Sequence, residues 1–277
     1  MKTKSVHIYI PTFNRKELVI KTIDSVIKQN YKSWKLTIVD NCSTDGTFEE
    51  IKKIYDGLIS SKKISIYKNK RTIKQGLNWN RLFDFLKKDD EYFMLLCSDD
   101  LLDPSFLSHG IEKLKNSNNN ICGFCSAIQY IDLNGRCLHQ RKYGFFGIEA
   151  ILSIILRNYI GIPSSCILKT NDFIDYRFSN GNIFFCGDIF FLIQPYLRFK
   201  KKLIYSSKAL VSFRKSLDSE STLFALSERR IFGRYKLRVL VLKQVNFKPI
   251  FQLFFSKLIK LILYFELFLL RCYKVIK

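Results

Sequence analysis

The chain is short of acid. Its 277 residues carry 24 Asp and Glu against 46 Lys and Arg, a formal net charge of +22. So large a deficit of carboxylates points to an anionic partner: a phosphate-bearing substrate, nucleic acid or a membrane surface. Other absences narrow that choice. No GxGxxG or Walker loop is present, so no glycine cradle is available for phosphates. Cys122-Gly-Phe-Cys125 has CxxC spacing, but no second pair and no nearby His completes a zinc set. No recognised nucleic-acid module accompanies the basic residues, which cluster with apolar ones rather than in a polar groove, so nucleic acid is set aside. No 18-residue stretch near the C-terminus is free of charge, which argues against a transmembrane helix. The N-terminus shows no signal peptide. The eight cysteines, several of them inside apolar runs, read as buried free thiols in a reducing cytoplasm.

What remains is a foldable chain. It is 47% hydrophobic, enough for a sizeable core, and its length fits one large domain or a domain with an appendage. Val6 to Ile10, Leu36 to Val39, Ile64 to Tyr67 and Tyr92 to Leu96 read as strands. Helical patterns follow the first three, at Leu18 to Ile27, Phe48 to Leu58 and Gly76 to Lys87. Such alternation implies a parallel sheet with right-handed crossovers. Asp45 reads as the cap of the second helix. Beyond Pro104 the pattern turns mixed. A long strand spans Ile121 to Ile131, and Asn134-Gly135 signals a hairpin into Arg136 to Lys142. Ile148 to Leu156 is helical, Ile160 to Leu168 strand-like, Ile183 to Leu197 mainly helical, Lys208 to Phe213 a strand, and Glu220 to Val245 a basic helix.

Two strands end in acid. One stops at Asp40, the other at Ser98-Asp99-Asp100. In an open α/β sheet, ligands bind beyond the carboxyl ends of the strands. A carboxylate there can accept from a ribose or a base imide, and a pair of them can hold Mg2+ or Mn2+ beside a diphosphate. The alternative is an acidic loop that only caps the next helix. His7 and His109 have no partner nearby in sequence and read as structural, and His139 as a surface residue.

Three motifs in order carry a resemblance. Ile-Pro-Thr-Phe-Asn-Arg (Ile10 to Arg15), Val-Asp-Asn-Cys-Ser-Thr-Asp-Gly-Thr (Val39 to Thr47) and Ser-Asp-Asp (Ser98 to Asp100) resemble the successive signatures of family 2 glycosyltransferases of the GT-A fold. The likeness covers about the first 110 residues strongly and residues 145 to 220 more weakly. It implies an α/β GT-A fold with a mainly parallel central sheet flanked by helices. Residues 1–218 would form the transferase domain, with a nucleotide-sugar half at 1–110 and an acceptor half at 111–218. Residues 219–277 would form a basic helical extension.

The resemblance also implies roles. Pro11, Thr12, Asn14 and Arg15 would flank the nucleotide, and Asp40 would bind the base or ribose. Arg71, Gly76, Asn78 and Asn80 would line the nucleotide, and Arg214 would approach it after the last strand. Ser98 and Asp99 would contact the donor, and Asp100 would hold Mn2+ or Mg2+. Asp188 would act as the general base of an inverting transfer, its apolar setting raising its pKa. Capping of the helix that begins there is the alternative for Asp188. Glu149 would line the acceptor pocket or lie in a helix's first turn. The sequence departs from the family pattern at Ser98, at Asn41-Cys42, at Ser216 where His is frequent, and before Asp188 where Glu is frequent. These departures keep two alternatives in view: an inactive GT-A-like binding or scaffold protein, and a sugar nucleotidyltransferase.

The charge is uneven. From Lys200 to Lys277 there are 18 Lys and Arg against 4 Asp and Glu, a net +14. On a helical projection of Phe247 to Lys277, Lys248, Lys260, Glu266, Arg271 and Lys274 share one half. Phe251, Phe254, Phe255, Leu258, Ile262, Phe265 and Leu269 fill the other. A basic amphipathic helix with large aromatics suits an anionic leaflet. Packing on the domain or in a homodimer is the alternative. The expected partners are a nucleotide-diphosphate sugar, a saccharide or lipid-linked saccharide acceptor, and the cytoplasmic membrane face.

Overall fold

A computed structural model describes residues 4–87, 89–142, 151–152, 154, 162–178, 186–215, 227–245 and 247–276, with side chains to 271. Strands β1 (Val6–Thr12), β2 (Trp34–Asp40), β3 (Ile64–Lys68) and β4 (Tyr92–Leu95) come first. Between them lie α1 (Lys16–Ile27), α2 (Thr47–Ile54), α3 (Asp56–Ser60), α4 (Gln75–Asn80) and α5 (Leu82–Phe85). Then follow β5 (Leu101–Leu102), α6 (Phe106–Lys115), β6 (Ile121–Ile131), β7 (Cys137–Arg141), β8 (Cys166–Lys169), α7 (Thr170–Phe173), α8 (Gly187–Phe199) and β9 (Lys202–Arg214). Helices α9 (Glu228–Gln244) and α10 (Pro249–Ile276) close the chain.

The strands form one sheet in the order β3-β2-β1-β4-β8-β6-β9-β5, with β7 paired to β6. β1 runs parallel to β2 and β4, β2 to β3, and β6 to β9. The expected parallel sheet therefore describes the first half. The second half is mixed, because β8 enters antiparallel between β4 and β6, and β5 and β7 are antiparallel to their partners. β1 and β4 are buried along their whole length, which is why both read as near-continuous apolar runs.

Two long helical patterns prove to be broken. Tyr55 separates α2 from α3, and its hydroxyl donates to Asp24 Oδ1 at 2.8 Å, back on α1. Arg81 separates α4 from α5. The strand expected over Lys208 to Phe213 is longer, because β9 pairs with β6 almost end to end. Of the segment expected as strand over 160–168, the described part makes a 3-10 turn at Pro163–Ser165 before β8 begins. Glu149, Ser216, most of the expected helix at 148–156 and residues 220–226 of the expected basic helix lie outside the described residues.

The described cysteines are free thiols. Cys122 and Cys125 lie three apart on β6, so they point to opposite faces and cannot share a metal. The residue between them, Gly123, sits where β6 is crowded on both sides. A Cβ there would lie 2.8 Å from the Ile167 carbonyl oxygen and 2.8 Å from side-chain atoms of Leu168 and Leu203. Gly123→Ala is expected to cost about 1–3 kcal/mol. A shift of the urea midpoint without a change in slope would register it, and an unchanged midpoint would refute it.

Candidate active site

The carboxyl ends of β1 to β4 open along one edge of the sheet. β1 lies between β2 and β4, at the point where strand order reverses. Thr12 and Asp40, the last residues of β1 and β2, are opposite one another. The loops beyond them are tied together. Asn41 N donates to the Thr12 carbonyl at 2.8 Å, Asn14 N to Ser43 Oγ at 2.9 Å, and Thr44 N to Asn14 Oδ1 at 2.9 Å. Asp45 joins the starts of two helices, accepting from Lys16 N at 3.2 Å and Thr47 N at 3.0 Å. Asn14 and Cys42 have φ of +48° and +66°. Asn tolerates that left-handed region; for Cys42 the strain explains why glycine is the easier residue there.

Asp40 builds its own turn. Its carboxylate is fully buried and accepts from Ser43 N at 2.9 Å and from the Ser43 hydroxyl. Asn41 ties down the next loop, donating to the Ile73 carbonyl at 2.8 Å and accepting from Ile73 N at 3.0 Å and Asn69 Nδ2 at 2.8 Å. Asn69 in turn donates to Asn78 Oδ1 at 3.0 Å and accepts from Arg81, while Tyr9 donates to the Asn78 carbonyl at 2.7 Å. Asn78 is thus an internal brace. Asn80 clamps the backbone of Phe178, donating to its carbonyl at 2.9 Å and accepting from its N–H at 2.7 Å. Gly76 is half-buried and Arg71 is exposed.

The acidic turn after β4 is fastened to α1. Thr22 Oγ1 donates to the Asp100 carbonyl at 2.9 Å, Leu102 N to Ser25 Oγ at 3.2 Å, and Gln29 Nε2 to the Asp103 carbonyl at 2.7 Å. Sequence reasoning missed these three residues and Asn69. A signal existed: Thr22 and Ser25 share the buried face of α1 with Ile23 and Val26, where apolar residues would be expected, and Gln29, just past its end, is buried too. Arg214 lies behind the same turn. Its backbone N–H donates to Asp100 Oδ1 at 3.2 Å. Its buried guanidinium donates to the carbonyls of Asp99 at 3.1 Å and of Asp132 and Leu133 at 2.9 Å each.

The electrostatics follow from burial. Burial and the neighbouring Asp99 charge push Asp100 well above the usual carboxylate range, although Ser164 and Arg214 favour its charge. Burial also raises Asp99, with Arg15 and Arg214 pulling it back. Ser98 and Pro11 are buried. Two buried oxygens here have no hydrogen-bond partner, Asp100 Oδ2 and Thr12 Oγ1. Such orphans mark positions where a ligand atom would be welcome.

Asp188 lies in the first turn of α8 and accepts from Ile189 N at 2.8 Å. Burial raises its pKa to about 6, while backbone N–H groups and Arg230 on α9 oppose the shift. An aromatic cluster sets α8 in place: Phe191 packs on Phe178 at 4.2 Å, Phe173 at 5.2 Å and Phe83 at 6.0 Å between ring centres. All three carboxylates act on the Cys97 thiol. Burial, then Asp100, Asp99 and Asp188, drive its thiol pKa well up. The histidines sit apart, each with a partner. His7 bridges Thr37 and Asp90, His109 meets Ser206, and His139 stacks on Tyr130.

No group of three or more His, Cys, Asp or Glu among the described residues is arranged to hold a metal by itself. A divalent ion nevertheless suits Asp100. It would satisfy the orphaned Oδ2 and relieve the repulsion with Asp99, its remaining positions being filled by donor phosphate oxygens.

At the C-terminus, α10 packs on α9. Glu266 turns inward to Arg234 at 3.3 Å and Arg238 at 3.2 Å, beside buried Ile259 and Leu270. The helical projection groups Glu266 with the basic residues on one half and Phe251, Phe254, Phe265 and Leu269 together on the apolar half. The two arginines of α9 attract the carboxylate inward, away from the other charges of its half, and the four apolar residues are exposed, as a face free to meet a leaflet is. No helix among the described residues is long and apolar enough to cross a membrane.

The profile of the family described as Glycosyl transferase family 2 matches residues 7–195. The putative colanic acid biosynthesis glycosyl transferase WcaA of Escherichia coli is 33% identical over 103 residues, 37% of this chain and 35% of that protein. The chain therefore spans about a third of that relative. Among solved structures, Staphylococcus aureus TarS 1-349 in complex with UDP-GlcNAc superposes with a TM-score of 0.66 at 16% identity, covering 90% of this chain and 69% of that one. Mannosyltransferase PcManGT of Pyrobaculum calidifontis, in complex with GDP-Man and Mn2+, gives a TM-score of 0.62 at 12% identity, covering 91% and 68%. The fold is that of these neighbours, and with its profile match across both halves of the sheet, the chain belongs to glycosyl transferase family 2.

Proposed function

We propose that the protein transfers a sugar from a nucleotide-diphosphate donor to a saccharide hydroxyl, with inversion at the anomeric carbon. The observation that carries this is the acidic pair Asp99-Asp100 after β4, with the buried Asp100 Oδ2 unpartnered, next to the tied β1 and β2 loops. The nucleotide would lie over Pro11, Thr12, Asn14 and Arg15, beside Asp40, Arg71, Gly76 and Asn78. Asp100, with Asp99 and Ser98 beside it, would hold Mn2+ or Mg2+, whose charge offsets that growing on the departing diphosphate. Arg214 would hold the acidic turn in place from behind, and Asn80 the Phe178 wall.

Asp188 would act on the other side of the anomeric carbon. With a pKa of about 6 it is mainly ionised at neutral pH yet basic enough to take a proton from the acceptor hydroxyl. Attack opposite the leaving group yields inversion. By likeness to the colanic acid relative, the acceptor would be a surface polysaccharide under construction. The exposed Ile250, Phe254, Leu261, Phe265 and Phe268 of α10, flanked by Lys257 and Lys260, suit an anionic leaflet, so we place the protein on the cytoplasmic membrane face with a lipid-linked acceptor.

A screen of nucleotide sugars with Mn2+ tests the reading. One donor should raise the melting temperature by several degrees and release a nucleoside diphosphate. Release of pyrophosphate would instead identify a nucleotidyltransferase, and stabilisation without turnover on any extracted lipid acceptor would identify a binding protein.

A further inference from the structure

Arg230, Arg234 and Arg238 recur every fourth residue on α9, so they stack along one face about 6 Å apart. The first rung is close enough to Asp188 that the two charges perturb one another's ionisation. The second and third reach Glu266 on α10. One carboxylate therefore answers two guanidiniums. Arg238 is 2% exposed, yet its Nε and Nη1 have no hydrogen-bond partner, nor do Nε of Arg234 and Oε2 of Glu266, the latter held to Arg234 only as an ion pair. Burying charged donors without partners is costly. Three such nitrogens lie on this face, the Arg234 side chain is 20% exposed, and the single Glu266 carboxylate leaves the two guanidiniums with a net positive charge to offer a further anion. The far side of α10 is an open apolar face.

We propose that this arginine ladder binds the phosphate or diphosphate ester that joins sugar to lipid in the acceptor. The sugar hydroxyl then faces Asp188 and the hydrocarbon lies along α10. The inference rests on the transferase reading and names the acceptor class it requires. Guanidinium forks match phosphate oxygens two at a time, which a lysine ammonium does not. Bulk lipid headgroups would instead meet the exposed Lys257, Lys260 and Arg271.

Farnesyl diphosphate, farnesol and phosphatidylglycerol vesicles are the probes, used on the full chain without divalent metal so that the acidic turn cannot recruit the diphosphate. Farnesyl diphosphate should bind about tenfold or more tightly than farnesol, and Arg234→Gln should lose about that factor. Arg234→Lys should recover only part of it. Arg230→Gln, which leaves the Glu266 contact intact, should show the same loss, and far-UV circular dichroism of the variant should match the wild type. Vesicle binding should survive both glutamine variants and fall with Lys257→Glu and Lys260→Glu. Equal affinity for the two farnesyl probes, or undiminished diphosphate binding in Arg234→Gln and Arg230→Gln, would overturn the proposal. So would loss of vesicle binding through the ladder alone, which would assign it to headgroups. Binding is read without turnover, so this proposal and the transferase reading can fail separately.

Discussion

Asp100→Asn should lower sugar transfer about a thousandfold, some 4 kcal/mol of transition-state stabilisation, while the protein melts higher. Both effects have one origin. In the free protein Asp100 is a buried carboxylate beside Asp99, with Oδ2 unpaired. Its charge is held against burial and against its neighbour. Asparagine keeps an oxygen for the Arg214 N–H, so the turn can persist, but it removes the charge that would bind the metal. Turnover titrated with Mn2+, alongside melting curves without metal, measures the two effects. Near-normal transfer in the variant, or a wild-type rate indifferent to chelation of divalent ions, would remove Asp100 from the metal site.

Asp188→Asn should abolish transfer, by about a hundredfold to ten-thousandfold, and leave donor binding intact. In the wild type, kcat should rise with pH through about 6 as the base becomes ionised, then level off. Stability should move the opposite way. The Asp188 carboxyl holds its proton to about 6 in the folded chain against 3.8 ordinarily, so the folded state binds more protons between those values. Its contribution therefore becomes less favourable as pH rises from about 4 to about 6, and the full cost, about 3 kcal/mol, stands at neutral pH. Asparagine escapes that cost. The variant should melt above the wild type at pH 7 and close to it at pH 4. A variant less stable at pH 7 would favour the helix-capping role, and a rate flat across pH 5 to 7 would exclude Asp188 as the base.

Much of the carboxyl edge of the parallel strands was legible in the residues. Local chemistry explains why. β1, β2 and β4 are buried runs that end abruptly in polar residues, and a strand's end is where a parallel sheet must present its loops. Asn14, Asp40 and Asp45 bind backbone within their own turns or in the adjoining one, so short sequence windows contain almost everything that shapes them. The clamps from Thr22, Ser25 and Gln29 were less visible. Their partners lie more than seventy positions away, and only polar residues on an otherwise apolar helix face hinted at them.

The sequence by itself determined the alternation of strand and helix through β4, the placement of acidic residues at strand ends, and the basic, aromatic character of the tail. Each is a property of neighbours along the chain. Only the tertiary structure decided that β8 enters antiparallel and makes the sheet mixed, and that the Arg214 guanidinium spends its bonds on carbonyls behind the acidic turn. It also decided that Glu266 turns inward to Arg234 and Arg238. These outcomes rest on pairings between distant segments. Burial and unlike charge select them, and no local periodicity records them.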